Sequence, residues 1–307
     1  MKAIYVACLV LLNFAAMAQT GKVGTALWKV SGKGQHTSYL FGTAHVFSGR
    51  YLDSFPGVSS LIHKANVLVV ERERGSAGKT DTSRKNAKLT QTTHALAEKR
   101  DFRTVFSKTD YELVDQYLAK NGGSQNITGL EELNGNTSIN YLLGIVWYPT
   151  IEQYMIKGEE HYFIDDTIYN IALSDHKKIQ GLETDVTLES IMDKVIKSPE
   201  EQLKAMAETI VDFVQKGDKL MQRRLSEYEE RNIEYNFEKI NESPFERELM
   251  DERNKLWMEQ IPALLDKDAC FIAVGLDHLK YKNGLIMKLR KMGYRVEPVI
   301  HSPQKKK

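Results

Sequence analysis

The feature that most constrains the fold is a short pattern found near both ends of the chain: an apolar run, a glycine, two further residues and a histidine. The first copy runs from Tyr39 through His45, and the second runs from Cys270 through His278. Apolar runs of this length bounded by glycine are typical of buried strands. Because ligand crevices of parallel and mixed sheets form beyond the carboxyl ends of strands, we expect both histidines to share one site.

The likeness of the two copies extends beyond the histidines. After His45 comes about one helix of chain and then a strand pattern, Val67 to Glu71, that ends in a carboxylate. After His278 comes a helical pattern and then a strand pattern that contains Glu297. A duplicated half-site would produce this order, and so would chance likeness between two short strands.

The remaining patterns predict a mixed α/β (α+β) fold with a central mixed sheet, flanking helices, the two Gly-x-x-His half-sites and a helical insertion at about 198–262. A hairpin is predicted from residues 26–31 and 37–41, and Pro199 follows a capping serine at the start of a long charged helix. In the next helical pattern, residues 245–261, Arg253 and Asn254 are expected on the polar side. The polar run 72–88 predicts a loop beside the site.

The first 18 residues have the composition of a secretory signal peptide. Lys2 precedes an apolar run that ends in the small residues Ala16 and Ala18. The run is about 13 residues long, shorter than the roughly 20 that a membrane-spanning helix needs. We therefore predict cleavage before Gln19, export to the periplasm or full secretion, no stable membrane insertion afterwards, and a mature single domain at 19–307.

Charge and cysteine content argue against a nucleic-acid-binding protein and against a role for cysteine in a disulfide or in catalysis. The chain has 42 Lys and Arg against 41 Asp and Glu, and loss of Lys2 with the signal makes the mature protein formally neutral. Such a balance does not predict a nucleic-acid partner. Cys8 also leaves with the signal, so Cys270 has no internal disulfide partner, and its apolar neighbours predict a small buried side chain rather than a nucleophile.

Five ordered elements resemble the TraB/GumN family, which includes the Tiki metalloproteases. They lie between roughly Leu27 and Val299 and are Leu40–His45, Val69–Glu71, Gly181–Thr184, Glu252–Asn254 and Val274–Leu279. The resemblance implies that Glu71, Glu183, Arg253 and Asn254 belong to the catalytic set. It also places an acidic residue at the start of a helix, where the tandem Asp165-Asp166 leaves both aspartates open for the role.

Two imidazoles and one or more glutamates in a crevice can hold a divalent ion, leave a position open for water, and lower the pKa of that water. We predict His45 and His278 as metal ligands, with Glu71 or Glu183 completing the set and the other glutamate acting as general base. Arg253 and Asn254 are candidates for binding a substrate carboxylate or orienting a ligand glutamate.

The resemblance implies a metal-dependent peptide hydrolase with Mn²⁺ or Co²⁺ rather than Zn²⁺, and the sequence lacks the His-Glu-x-x-His helix of common zinc proteases. Two alternatives remain open for a peptide or small-molecule substrate. One is a metal-free hydrolase similar to the erythromycin esterases, in which a histidine acts as general base. The other is an exported binding protein that holds a peptide or signal without turnover. Metal dependence separates the two hydrolases.

Overall fold

The computed structural model describes residues 22–32, 36–44, 47–55, 57–73, 96–122, 126–154, 163–195, 198–242 and 244–300. The predicted signal peptide, His45 and most of the predicted loop at 72–88 lie outside these ranges.

A six-stranded mixed sheet forms the centre of the protein, which confirms the predicted fold class. In spatial order the strands are β5, β4, β7, β3, β2 and β8. Their bounds are β2 Leu27–Ser31, β3 Ser38–Thr43, β4 Val67–Arg72, β5 Lys178–Glu183, β7 Cys270–Gly275 and β8 Arg295–Pro298. A separate two-stranded sheet pairs β1 (Lys22–Val23) with β6 (Ile233–Glu234).

Four neighbouring strands of the large sheet run parallel, so their carboxyl ends lie along one edge. β7 is parallel to β3 on one side and to β4 on the other, and β4 is parallel to β5. The register aligns Thr43 with Gly275 and Arg72 with Glu183. All six residues of β7 are buried, as expected for a central parallel strand covered on both faces. The ends of both histidine-bearing strands are therefore adjacent, as predicted.

The hairpin of β2 and β3 is also confirmed, since these strands pair antiparallel. β8 pairs antiparallel with β2 at the far edge of the sheet. Glu297 on β8 lies opposite Lys29 and pairs with Arg295. The likeness of the two chain ends therefore does not provide two equivalent carboxylates, because Glu71 is on β4 beside β7 whereas Glu297 is two strands beyond β3.

Helices flank the central sheet. In chain order they are α1 Val58–Lys64, α2 Lys108–Asn121, α3 Ile139–Tyr154, α4 Ile164–Ser174, α5 Asp185–Val195, α6 Pro199–Glu229, α7 Pro244–Met258, α8 Ile261–Lys267 and α9 Leu285–Lys291. Short 3₁₀ helices span Gly49–Ser54, Phe102–Thr104, Glu131–Leu133 and Leu276–His278. The capping serine before α6 accepts a hydrogen bond from the backbone N–H of Glu201, as predicted.

The buried apolar side chains of the described ranges form two clusters. The larger surrounds the sheet and includes Trp257 of α7. The smaller joins α2, α3 and the first half of α6, with Ile210 among its fully buried members. The segment predicted as one helical insertion thus contributes the first half of α6 to the smaller cluster, and Tyr228 of α6 together with α7 to the larger. Its bounds stay a prediction. None of the described helices combines the length and hydropathy that crossing a membrane requires.

Candidate functional site

Side chains from three neighbouring elements meet at the carboxyl-end edge of the sheet. Glu71 is next to the last residue of β4, and Glu183 is the last residue of β5. His278 ends the 3₁₀ turn that follows β7 directly. Arg253 reaches all three from α7. The residues predicted as one site from separate parts of the sequence are therefore together, while the position of His45, two residues after β3, lies outside the described ranges.

The Arg253 guanidinium occupies the centre of this cluster. Its Nη2 donates to Glu183 Oε1 at 2.6 Å and to Glu71 Oε2 at 2.7 Å, and its Nε donates to Glu183 Oε2 at 3.1 Å. Its Nη1 lies 2.9 Å from Nε2 of His278. Burial lowers the pKa of Arg253, but its hydrogen bonds to Glu183 and the charges of both glutamates outweigh burial and raise this pKa above its ordinary value. Arg253 is therefore a fixed cation in the site.

The two glutamates have different surroundings. Both oxygens of Glu183 accept hydrogen bonds from Arg253, and Oε2 also accepts from the indole Nε1 of Trp257 at 2.9 Å. The Glu183 side chain is fully buried, whereas that of Glu71 is 17% exposed. Glu183 is thus arranged to hold Arg253, and Glu71 is the carboxylate that water or a ligand can reach.

Asn254 and Arg253 together determine the tautomer of His278. Its amide Nδ2 donates to the His278 carbonyl at 3.2 Å and to the Asn283 carbonyl at 3.5 Å, which turns its Oδ1 toward His278 Nδ1 at 2.8 Å. Nδ1 must then carry the proton, and Nε2 is the acceptor that faces Arg253. Nε2 lies 3.8 Å from Glu71 Oε1.

The predicted location of Arg253 and Asn254 on the polar side of α7 is wrong. Both are buried, with 8% and 1% exposure. Together with Trp257 they form one inward helix face, as the spacing of three and four residues requires. Charged and amide side chains can be buried here because each finds hydrogen-bond partners at the sheet edge.

The two tandem aspartates, Asp165 and Asp166, make different contacts. Asp166 accepts a hydrogen bond from the backbone N–H of Phe163 at 3.0 Å, which caps the start of α4. Asp165 accepts from the hydroxyl of Thr43, the last residue of β3, at 2.8 Å. Asp165 is therefore the aspartate next to the carboxyl end of β3.

Three contacts of the site were not predicted. The backbone N–H of Gly275 donates to Glu71 Oε1 at 2.7 Å, and Trp257 donates to Glu183. Tyr228, from the charged part of α6, is buried and donates to the Gly42 carbonyl of β3 at 2.5 Å. The available signal for Tyr228 was one aromatic residue within the charged segment 215–229 of α6, where a buried contact would explain it.

Two of the predicted ligands, His278 and Glu71, have donor atoms that suit a divalent cation. Imidazole nitrogen and carboxylate oxygen are ligands of Mn²⁺ and Co²⁺. With a neutral imidazole, the side chains of Glu71, Glu183, Arg253 and His278 carry one net negative charge. Two ligands of one ion are commonly separated by about 3–4 Å given ligand bonds near 2.1 Å, and Nε2 of His278 lies 3.8 Å from Glu71 Oε1. For His278 to bind the ion, its Nε2 would have to give up the hydrogen bond from Arg253 Nη1.

Glu183 does not fit as a third ligand, since Arg253 and Trp257 cover both of its oxygens. Within the described ranges, no group of three or more His, Cys, Asp or Glu side chains is arranged to hold a metal ion.

Cys270 lies at the opposite end of β7. It is buried, as predicted, and burial raises the pKa of its thiol to about 11. A protonated buried thiol is a poor nucleophile, so Cys270 is a packing residue.

One comparison with known proteins gives a match. The model of the TraB/PrgY/gumN family matches residues 26–298, a range that includes every side chain of the site described above. No match was found among curated proteins or among solved structures.

Proposed function

The chain belongs to the TraB/PrgY/gumN family, and on this basis we propose that it is a hydrolase of the Tiki kind that cleaves peptide bonds with a water activated beside Glu71 and His278. The observation that carries the proposal is the fixed tautomer of His278, whose acceptor Nε2 lies 3.8 Å from a partly exposed carboxylate. A histidine in this state accepts a proton or binds an ion, and the hydrogen bond from Nδ1 to Asn254 orients the ring.

Each side chain of the cluster has a distinct role in this reaction. When no ion is bound, Nε2 of His278 or Oε1 of Glu71 would take the proton of the attacking water, Nε2 only after its contact with Arg253 is broken. Arg253 provides a fixed positive charge 2.9 Å from Nε2, which stabilises negative charge that develops on the attacked carbonyl oxygen. Glu183 holds Arg253 in place and is out of reach of the attacking water, because it is fully buried and its oxygens already accept hydrogen bonds.

A divalent cation, Mn²⁺ or Co²⁺, is part of the proposal. His278, the predicted His45 and one oxygen of Glu71 would hold it, and the other oxygen of Glu71 would then take the proton in place of Nε2. Bound there, it would supply a water of lowered pKa. The net negative charge of the described cluster favours such a cation.

The test combines metal content with turnover. Purified mature protein is analysed by elemental mass spectrometry after incubation with Mn²⁺ or Co²⁺, and hydrolysis of a fluorogenic peptide library is measured with and without EDTA. The variants are His45→Ala, His278→Ala and Glu71→Gln, with His63→Ala as the matched control. His63 is a half-exposed histidine of α1 that pairs with Asp175 and contacts none of the site residues named above.

Near-stoichiometric metal and EDTA-sensitive hydrolysis, both lost in the three site variants and kept in the control, would support the proposal. Hydrolysis that resists EDTA but is lost in His278→Ala would instead establish the metal-free hydrolase, which the contact between Arg253 and Nε2 favours. Absence of turnover toward peptides and small esters would overturn the hydrolase and leave a peptide-binding protein.

Export is proposed on the sequence of residues 1–18 alone. N-terminal sequencing of protein recovered from periplasm and culture medium tests it, with Gln19 as the expected first residue. Recovery of the uncleaved chain inside the cell would contradict export.

A further inference from the structure

Trp257 contacts three members of the site at once. Its indole Nε1 donates to Glu183 Oε2 at 2.9 Å. Its ring centroid lies 4.1 Å from the imidazole of His278, with an angle of 34° between the planes, and 4.8 Å from Cζ of Arg253. The side chain is fully buried. The edge of the indole therefore binds the Glu183 carboxylate, while its face packs on the His278 imidazole and the Arg253 guanidinium.

These contacts follow from the position of Trp257 on α7. It lies one helical turn after Arg253, and side chains four residues apart are neighbours on a helix surface. A guanidinium over an indole face is also favoured electrostatically. The indole thus forms a wall that limits how the Arg253 plane and the His278 ring can rotate.

We propose that Trp257 is a positioning residue for the hydrolytic site, acting through Glu183, Arg253 and His278 rather than on the substrate. Its N–H fixes the Glu183 carboxylate so that both oxygens stay on Arg253, and its face keeps Nε2 of His278 directed at Arg253 and Glu71. The effect on turnover rests on the proposed function, whereas the effect on the Arg253 hydrogen bonds does not.

The indole N–H matters because Glu183 has few other donors. Its Oε2 accepts from Trp257 Nε1 at 2.9 Å and from Arg253 Nε at a longer 3.1 Å. Loss of the Trp257 donor removes one of the two hydrogen bonds that fix Oε2, so the Glu183 carboxylate can rotate and Oε2 can shift away from Arg253 Nε. Such a shift moves the guanidinium, and with it the Nη1 that contacts His278, and displacements of about 1 Å at a reacting group can lower a rate about 100-fold.

The experiment compares Trp257→Phe with Trp28→Phe. Trp28 is a matched control because it is an equally buried indole on β2 whose Nε1 donates to a single partner, the Tyr235 hydroxyl, at 2.8 Å. We expect Trp257→Phe to lower kcat toward the cleaved peptide at least about tenfold with KM changed less than about twofold, and Trp28→Phe to keep kcat. Equal losses of kcat in the two variants would overturn the positioning role.

A second readout needs no turnover. In ¹H–¹⁵N spectra of the wild-type protein, the Arg253 Nε–H should be detectable and protected from solvent exchange, because it is buried and bonded to Glu183. It should exchange at least about tenfold faster in Trp257→Phe, where that bond is weakened, and be unchanged in Trp28→Phe. Unchanged protection in Trp257→Phe would overturn the proposal even if no substrate is cleaved by any form of the protein.

If Trp257→Phe does not fold, β-(3-benzothienyl)alanine at position 257 keeps the bicyclic shape and removes only the N–H. The same loss of Arg253 Nε–H protection is expected for this replacement. Protection equal to that of the wild type would contradict the role assigned to the indole N–H.

Discussion

Arg253 and Glu183 form a buried bidentate ion pair, in which Nε lies 3.1 Å from Oε2 and Nη2 lies 2.6 Å from Oε1. The side chains are 10% and 0% exposed. Removing two charges from water costs several kcal/mol per ion, which only good geometry and additional hydrogen bonds offset. Here Trp257 and Glu71 provide those additional bonds. The pair is therefore sensitive to loss of either partner.

Replacing Arg253 with methionine should destabilise the protein by about 3–5 kcal/mol, because it leaves the Glu183 charge buried without a cation. Urea unfolding followed by circular dichroism measures the change. Arg72→Met is the control, since Arg72 pairs with Asp185 at the surface, with 47% and 40% of the two side chains exposed. Loss of that pair should cost less than about 1 kcal/mol. Similar losses in both variants would show that the Arg253 pair contributes no more than a surface pair.

Replacing Asn254 with leucine should loosen the ring of His278. The substitution removes the Oδ1 that accepts from Nδ1, so we expect the imidazole to lose its fixed orientation and turnover to fall about 10–100-fold. Solvent exchange of the His278 Nδ1–H, followed in ¹H–¹⁵N spectra, should be faster than in the wild type because this proton has lost its acceptor. Asn241→Leu is the control, because the Asn241 amide contacts Glu246 at the surface. Exchange of Nδ1–H as slow in Asn254→Leu as in the wild type would contradict the role given to Asn254.

The strands of the sheet could be predicted from the sequence because each one is marked by a short run of neighbouring residues. Apolar runs ending in glycine or glutamate located β3, β4 and β7, and the rule for carboxyl ends placed His278 at the site. Glu183 entered the predicted site through the family resemblance. Arg253 was misplaced because a charged residue on an amphipathic helix is normally exposed, and only its partners on three other elements allow its burial. Those partners are separated from it by up to 182 residues in sequence, so no local pattern contains them.

Removing the hydroxyl of Tyr228 should weaken the contact between α6 and β3. The phenol donates to the Gly42 carbonyl at 2.5 Å and its ring packs edge-on against Phe55. Tyr228→Phe keeps the ring but leaves a buried carbonyl without this donor, so we expect a loss of about 1–3 kcal/mol in urea unfolding. Tyr141→Phe, at a side chain that is 65% exposed, should change the stability by less than about 0.5 kcal/mol. A neutral Tyr228→Phe would mean that water replaces the phenol.

Asp175 should make the stability of the fold depend on acid pH. His63 of α1 hydrogen-bonds to Asp175 after α4 at 2.7 Å, and this bond, with the charges of His63 and Lys177, holds the pKa of the carboxyl below its ordinary value of 3.8. A carboxyl with a lowered pKa in the folded state stabilises that state above the unfolded pKa, and this contribution is lost as pH falls through the folded pKa.

The wild type should therefore be more stable than Asp175→Asn at pH 5.5, and the difference should shrink below pH 3.8 as the carboxyl is protonated in both the unfolded and the folded state. Urea midpoints of the two proteins at pH 5.5 and pH 2.5 measure it, with Asp193→Asn on the exposed surface of α5 as the control. A difference that stays constant between the two pH values would mean that Asp175 stabilises the junction of α1 and α4 by shape rather than by charge.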